Sequence, residues 1–389
     1  ESPSQAGVSA VPSVAILYFK NNTGDKNLDI WREGLSLSLI TKLSQSRFIR
    51  VLDQSQIYSI LKRLNLLGQD SLTPEDLKEI ASRGLATHIV RGSLSKAGEK
   101  FRIDLTLQSA STLQIIAPES ADGTGEESLF AMVDSLSDRL RTNLGVTAQQ
   151  AALEMPKSIT DVTTSSPEAY KLYVQAQQIS IADPFDPSII PIFEKAVATD
   201  PQFAMAYLDL ASGYYSVGRM KEFPSAMQKA FDLRERVSER ERYHIEARYY
   251  HFTSEKTWDK AVEAYTRLIE SYPWDIGGNL YLAFLYCDME EWDRAIERYE
   301  TLRRYKYEPG QSLGAFQMLA WCYLAKGQPD KAREVLEDYL NTIADNNHIR
   351  AVLGMVYCIL GELEKAKREI ERAYDQTPGV TDKWYMLFY

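Results

Sequence analysis

The chain has 389 residues, 44% of them hydrophobic and 25% charged, and a formal net charge of −10. These fractions belong to a folded globular protein long enough for two or three domains, not to a disordered or collagenous chain. Residues 1–150 hold 16 Lys+Arg against 17 Asp+Glu, a net of −1, so −9 of the total falls on the remainder. An acidic surface of that size repels phosphate backbones and argues against nucleic acid as a partner.

No run reaches the roughly 18 apolar residues that a membrane helix needs, so no membrane insertion is expected. ESPSQAGVSAVPS, at the start, has neither the basic nor the apolar region of a signal peptide. Residues 1–12 read as a linker. The chain reads as a fragment of something longer, cut just past a membrane anchor, which favours an extracytoplasmic or periplasmic site with the cytoplasm as the alternative.

Val14 to Phe19 is an apolar run of strand length, and NNTGD (21–25) predicts a turn built on Asx side chains and glycine. Residues 30–45 carry helical periodicity through Ile30, Leu35, Leu37, Ile40 and Leu43. Phe48 to Leu52 reads as a short strand. Gln54 to Leu64 and Pro74 to Arg83 read as helices, the second opened by Thr73 as N-cap with Asp76 three residues on. His88 to Ser95 and Phe101 to Leu107 flank AGEK (97–100) as an antiparallel hairpin. Leu113 to Ala117 continues the meander, and Phe130 to Leu144 closes the unit as an amphipathic helix. The order β-α-β-α-α-β-β-β-α predicts an α+β domain over residues 13–146, with helices on one face of a mixed sheet.

This stretch resembles the TolB-amino-terminal-like module, related to the CsgG/FlgO envelope family. The matching residues are VAILYF with NNTGD, Gly34-Leu35 opening the first helix, the strand ending in VLD, and the block ASRGLATHIVRGSLSKAGEKFRIDLTL. Tyr18 departs from the family, which usually has proline there.

After a linker over 147–166 the pattern becomes a repeat. Ala261, Ala295, Ala332 and Ala366 lie 34, 37 and 34 residues apart, each followed four residues on by Tyr265, Tyr299, Leu336 or Ile370. Tyr286, Tyr323 and Tyr357 stand nine residues before the last three alanines, and Leu282, Leu319 and Leu353 four before those tyrosines. A period near 34 is that of helical hairpins stacked in tandem, with small residues where paired helices cross and large ones between pairs. Ala283, Ala320 and Gly354 supply the small side on the first helices. Gly327 and Gly361 fit helix C′ positions, and Pro201, Pro273 and Pro378 stop second helices.

LAFLYCDMEEWDRAIERYE, LAWCYLAKGQPDKAREVLEDYL and LGMVYCILGELEKAKREIERAY resemble tetratricopeptide repeats. Leu210, Ala211, Tyr214 and Gly218 begin an earlier unit, and 167–201 an opening one, giving about six units over 167–389. The α+β module, SPEAYKLYVQAQQ and the repeats together resemble the regulatory half of bacterial adenylate cyclases, serine/threonine kinases and winged-helix regulators. The resemblance implies that any kinase or cyclase activity resides in a domain absent from this chain.

No GxxxxGK[ST], GxGxxG, HExxH or GxSxG occurs, and no kinase signature, so no catalytic residue and no cofactor are assigned. His88 reads as packing in a strand. His244 and His251, seven apart on one helix face, read as exposed, with a metal or pH-sensing pair as the sharper alternative. Cys287, Cys322 and Cys358 follow the repeat spacing and read as buried thiols, not zinc ligands.

In tetratricopeptide arrays the first helices line a concave groove. The resemblance carries those positions to Leu208, Ser212 and Tyr215, then Tyr243, Glu246 and Tyr250, then Phe284, Cys287 and Asp288, then Gln317, Trp321 and Leu324. Aromatic rings beside Glu246 and Asp288 suit a protein or peptide partner with basic residues, or an organic cation over a ring. The expectation is therefore a non-catalytic sensory and protein-interaction module that regulates an upstream output domain. Homodimerisation through the α/β module stays open. The alternatives are a receptor for a small, cationic metabolite at the junction of the two domains, and an envelope assembly scaffold.

Overall fold

The computed structural model describes residues 11–69, 71–304 and 309–375. ESPSQAGVSA, most of the expected N-terminal linker, and Pro378 lie outside them. The chain forms two compact units, one ending at Trp274 and the other beginning at Asp275.

The first unit opens with β1 (Ser13–Ile16), β2 (Lys20–Asn21), α1 (Trp31–Leu43), β3 (Arg50–Val51), α2 (Gln54–Arg63) and α3 (Pro74–Gly84). β4 (His88–Ala97), β5 (Lys100–Ser109), β6 (Ile115–Thr124) and α4 (Ser128–Asn143) complete the α+β domain. The sheet order is β3-β1-β4-β5-β6, with β2 also pairing β4. β1 runs parallel to β3 and β4, while β4, β5 and β6 form an antiparallel meander.

The predicted first strand is split. Leu17 N still donates to Val90 O at 3.0 Å, but Phe19 N turns away to Arg32 O at 3.0 Å before Lys20 rejoins β4. In NNTGD, Asn21 Oδ1 accepts from Thr23 N, Gly24 takes φ +77°, and Asp25 accepts from Asn27 N at 2.9 Å. Asp25 is thus a turn and cap residue. Thr73 and Asp76 form the expected reciprocal capping box. β6 runs on to Thr124, past its predicted end at Ala117, because its PESADGT segment is mostly half-exposed or exposed and carries no apolar signal.

Val14, Ile16 and Val90 pack with α1 and α4, whereas Ala15, Leu17 and Ile89 pack with α2 and α3. Helices therefore cover both faces at the parallel end of the sheet, beyond the single face expected. The physical reason is the unbroken apolar run Val14 to Leu17, every residue of which is buried, as in strands covered on both sides.

Two short helices, α5 (Ala148–Ala152) and α6 (Ile159–Val162), precede six helical hairpins among the described residues. In the first unit these are α7 (Pro167–Ala182) with α8 (Ile189–Thr199), α9 (Ala204–Ser216) with α10 (Phe223–Asp232), and α11 (Glu239–Thr253) with α12 (Trp258–Ser271). The second unit holds α13 (Ile276–Asp288) with α14 (Trp292–Arg304), α15 (Pro309–Ala325) with α16 (Pro329–Thr342), and α17 (Asn347–Ile359) with α18 (Leu363–Asp375).

The repeat chemistry is reproduced from hairpin to hairpin. Ala261, Ala295, Ala332 and Ala366 are all buried at the crossings, as are Ala283 and Ala320. At Gly354 an added Cβ would lie 2.6 Å from Ile370 Cγ1. Tyr286, Tyr323 and Tyr357 are buried to 5%, 9% and 7% exposure. Each ring lies under the cation eight residues on: Arg294 at 4.1 Å, Lys331 at 5.4 Å and Lys365 at 5.4 Å. Tyr323 and Tyr357 also donate to Glu300 and Glu337 of the preceding second helices, at 3.2 and 2.6 Å.

One core runs through the α+β domain and the first hairpins, from Val14 to Ile245. At its centre Tyr170 of α7 stacks on Trp31 with centroids 5.9 Å apart and meets Phe130 edge-on at 5.4 Å. Its hydroxyl accepts from Ser38 Oγ at 2.8 Å and donates to Gly34 O at 3.1 Å. Gly34 leaves room for the ring: a Cβ there would sit 3.6 Å from Tyr170 Cε1.

Two outcomes are expected. Tyr170→Ala should lower stability by about 3–5 kcal/mol and Tyr170→Phe by about 1–3 kcal/mol, measured as urea midpoints; equal losses would deny the hydroxyl a role. Gly354→Val should cost about 1–3 kcal/mol by overpacking against Ile370, and an unchanged midpoint would show that the crossing tolerates bulk.

Candidate functional site

The first helices of the opening hairpins meet the α+β domain. Leu208, expected in the groove, is buried, and Ser212 accepts from Arg248 Nη1 at 3.2 Å. Arg47 pairs with Glu239 at the start of α11, and Tyr272 donates to Gln45 O at 3.2 Å. Lys157, in the connecting segment, donates through Nζ to the carbonyls of Glu235 at 2.6 Å and Val237 at 2.8 Å. Glu154 accepts from Arg47 N at 2.6 Å and Ser46 Oγ at 3.0 Å and pairs with buried Arg141. The chain's own α+β domain thus occupies part of the surface that the repeat resemblance assigns to a ligand.

Between α1 and α2 on one side and α9 and α11 on the other, a cavity of about 200 Å³ remains. Tyr173, Met205, Asp209, Glu241, His244 and Arg248 are among its lining residues. Asp209 Oδ2 accepts from Tyr173 Oη at 2.8 Å and Gln177 Nε2 at 2.5 Å. Burial holds the Asp209 carboxyl above the usual aspartate range, against the opposing pull of Arg248. Glu241 is raised by burial too; its bonds to Ser238 oppose the shift and the charge of Asp209 adds to it. Nothing in the spacing of ERERYHIEAR marks this site, because its other wall comes from residues some 200 positions earlier.

The two histidines of α11 depart from expectation. His244 and His251 are 9% and 5% exposed, so their shared face points inward. His244 lines the cavity, and His251 stacks on Phe252 with centroids 4.3 Å apart. His88 is half-buried, with Nδ1 at 2.8 Å from Thr87 Oγ1, and burial lowers its pKa.

The other expected groove residues differ in what they offer. Tyr215 is 51% exposed, ringed by Phe223 and Phe252 at 5.8 and 5.4 Å. Tyr250 is half-buried against Phe231 and Tyr249, with Lys260 Nζ 5.5 Å above its ring. Tyr243 is only 8% exposed and packs with Leu268 and Tyr272, so its ring serves the core. Glu246 already faces Arg234 at 3.4 Å and Arg242 at 3.9 Å.

In the second unit Phe284 is half-buried, edge-on to Tyr281 and Tyr299 at 6.1 Å each. Asp288 is exposed, and Gln317 and Trp321 are half-buried. The cysteines are not alike: Cys322 is buried, Cys287 half-buried and Cys358 exposed. The expectation of three buried thiols is met only by Cys322, which precedes its repeat tyrosine, whereas Cys287 and Cys358 follow theirs and so fall on a different helix face.

Among the described residues, no three His, Cys, Asp or Glu side chains gather as a metal set, and no helix is long and apolar enough to cross a membrane. A putative adenylate cyclase 3 from Rhizobium meliloti (strain 1021) is 26% identical over 178 residues, covering 46% of this chain and 28% of its own length. This chain therefore spans under a third of the curated relative it matches. Among solved structures, the type IV pilus biogenesis factor PilW is 14% identical, with 57% of this chain and 99% of that chain covered and a TM-score of 0.45. TTC0263 of Thermus thermophilus, described as a thermophilic tetratricopeptide-repeat protein, is 16% identical, with 49% and 99% covered and a TM-score of 0.41. Residues 315–342, spanning most of α15 and α16, match the tetratricopeptide repeat family. The fold is an α+β domain with a mixed sheet, followed by an all-α tetratricopeptide-repeat solenoid.

Proposed function

We propose that this chain is a non-catalytic sensory and protein-interaction module of a bacterial signalling protein. A protein or peptide partner docks on the first helices of the repeats and so regulates an output domain elsewhere in the polypeptide. One observation carries the reading: Phe284, Gln317 and Trp321 stay half-buried and Asp288 exposed, while the repeat's structural positions around them are sealed. Large rings beside a carboxylate at the surface are the composition of a binding hot spot for a chain with basic residues. The match to part of a putative adenylate cyclase supports the signalling context. The likeness of residues 13–146 to TolB-amino-terminal modules supports a second surface on the α+β domain. Its β6 edge, with Ile115 60% and Ile116 45% exposed, is the natural place for homodimer contact.

The test is titration calorimetry with a partner recovered by pull-down. Phe284→Ala and Trp321→Ala should each weaken binding by about 2 kcal/mol while leaving the circular dichroism unchanged. Unchanged affinity in both variants rejects the surface.

The cavity beside Asp209 supports a second reading, as a receptor for a small organic cation. Its lining counts three carboxylates (Asp53, Asp209, Glu241) against two guanidinium groups (Arg240, Arg248), a net of −1. At about 200 Å³ it falls below the roughly 300–1,000 Å³ of drug-sized sites, so its ligand would be a small metabolite. A panel of small amines at 100 times their dissociation constant should stabilise the chain by about 2.7 kcal/mol, and a flat melting temperature across the panel removes this reading.

The same carboxylates fix a pH dependence. A raised native pKa means that the unfolded chain gives up its proton first, so stability falls as pH climbs from 3.8, the ordinary aspartate value, toward the native one. Asp209→Asn keeps an acceptor for Tyr173 and should flatten urea midpoints over that interval; an unaltered slope would show that Asp209 carries none of it.

A further inference from the structure

Cys287 on α13 and Cys322 on α15 bring their Sγ atoms to 3.4 Å although they lie 35 positions apart in sequence. A disulfide bond is about 2.05 Å long, so closure needs an approach of only about 1.4 Å, within reach of small side-chain and backbone adjustments. The two thiols are not equivalent. Cys322 is sealed in the core, whereas Cys287 is half-buried. Tyr299 Oη, from α14, lies 3.9 Å from Cys287 Sγ, a second polar neighbour for that sulfur. Cys358, on α17, is exposed and has no such companion among the described contacts.

We propose that Cys287 and Cys322 form a peroxide-reactive dithiol that closes to an intrachain disulfide between neighbouring repeats, with a hydroperoxide as the oxidant. The Cys287 thiolate attacks one oxygen of hydrogen peroxide. An S–O bond forms, the O–O bond breaks, and the departing hydroxide takes up the thiol's proton as water. Cys322 then attacks the sulfur of the resulting sulfenic acid. The S–S bond forms, the S–O bond breaks, and the released hydroxide leaves as a second water with the proton of Cys322. Two thiols lose two electrons and two protons, and one peroxide becomes two waters.

The order of attack follows from the surroundings. The hydrogen bond from Cys322, foremost, and that from Tyr299 pull the Cys287 thiol below its ordinary pKa, in spite of burial. Cys322 is held above its ordinary value by its hydrogen bond to Cys287 and by burial. The sulfur of the less buried cysteine is thus the one that ionises and reacts, and the sealed one resolves. The inference rests on the thiol pair alone and holds whichever partner α13 and α15 receive.

The experiment uses the full chain, reduced, desalted and exposed to stoichiometric hydrogen peroxide, then alkylated and mapped by mass spectrometry. The expected product has lost the mass of two hydrogen atoms, links the peptides carrying Cys287 and Cys322, keeps Cys358 alkylated, and reverts with dithiothreitol. Cys358→Ser should react the same way and melt at a higher temperature oxidised than reduced. Cys287→Ser should give no intrachain link. The proposal is overturned if Cys287 and Cys322 both remain alkylatable. It fails equally if Cys287 advances to sulfinic acid without linking, or if the only disulfide is between chains through Cys358.

Discussion

The side chain of Tyr170 decides how this protein is put together. It belongs to the first repeat helix by sequence, yet its ring lies between Trp31 and Phe130 of the α+β domain. Both polar capacities of its hydroxyl are used by α1, through Ser38 and the Gly34 carbonyl. A buried aromatic with a satisfied hydroxyl stabilises through apolar area and loses nothing to desolvation. Gly34 is the matching concession in the sheet-covering helix, since a larger residue would crowd Trp31 at 3.2 Å. The outcome is one hydrophobic core shared by a sheet and helical hairpins, in place of two beads on a string.

That shared core changes what the opening repeats are for. A solenoid hairpin cannot bury its own apolar face and requires a neighbour on each side. Here α7 packs on α1, Leu208 is buried beside the α+β domain, and Tyr243 is buried against Leu268 and Tyr272 of its own hairpin. The second unit follows the ordinary repeat logic instead. Its tyrosines sit under cations at a fixed spacing of eight residues, its alanines seal the crossings, and its rings at Phe284 and Trp321 are left over.

Much of this was legible in the residues. The alanine–tyrosine spacing located the hairpins because close helix crossing demands small side chains at fixed intervals, a constraint with few solutions. The capping box at Thr73 and the Asx turn at Asn21 were equally local and equally readable. What escaped were properties made by distant parts of the chain. His244 and His251 look like residues of an exposed amphipathic face until α1 and α12 pack around them. The helices on the second face of the sheet were hidden in the unbroken run Val14 to Leu17, whose lack of alternation was the signal. The cavity at Asp209 had no local signal, since charged residues on a helix normally belong to a solvated face.

The segment between α4 and α7 is bound to several elements of the first unit. Its lysine, Lys157, caps the carbonyls of Glu235 and Val237 while its own carbonyl accepts from Lys42 at 2.8 Å. Ile159 N is held by Asp134 at 3.1 Å, and Glu154 is locked by Arg141, Ser46 and Arg47. The connection is held at several points, although Leu153 and Met155 within it are exposed. It ties α1 and α4 to the residues that lead into α11.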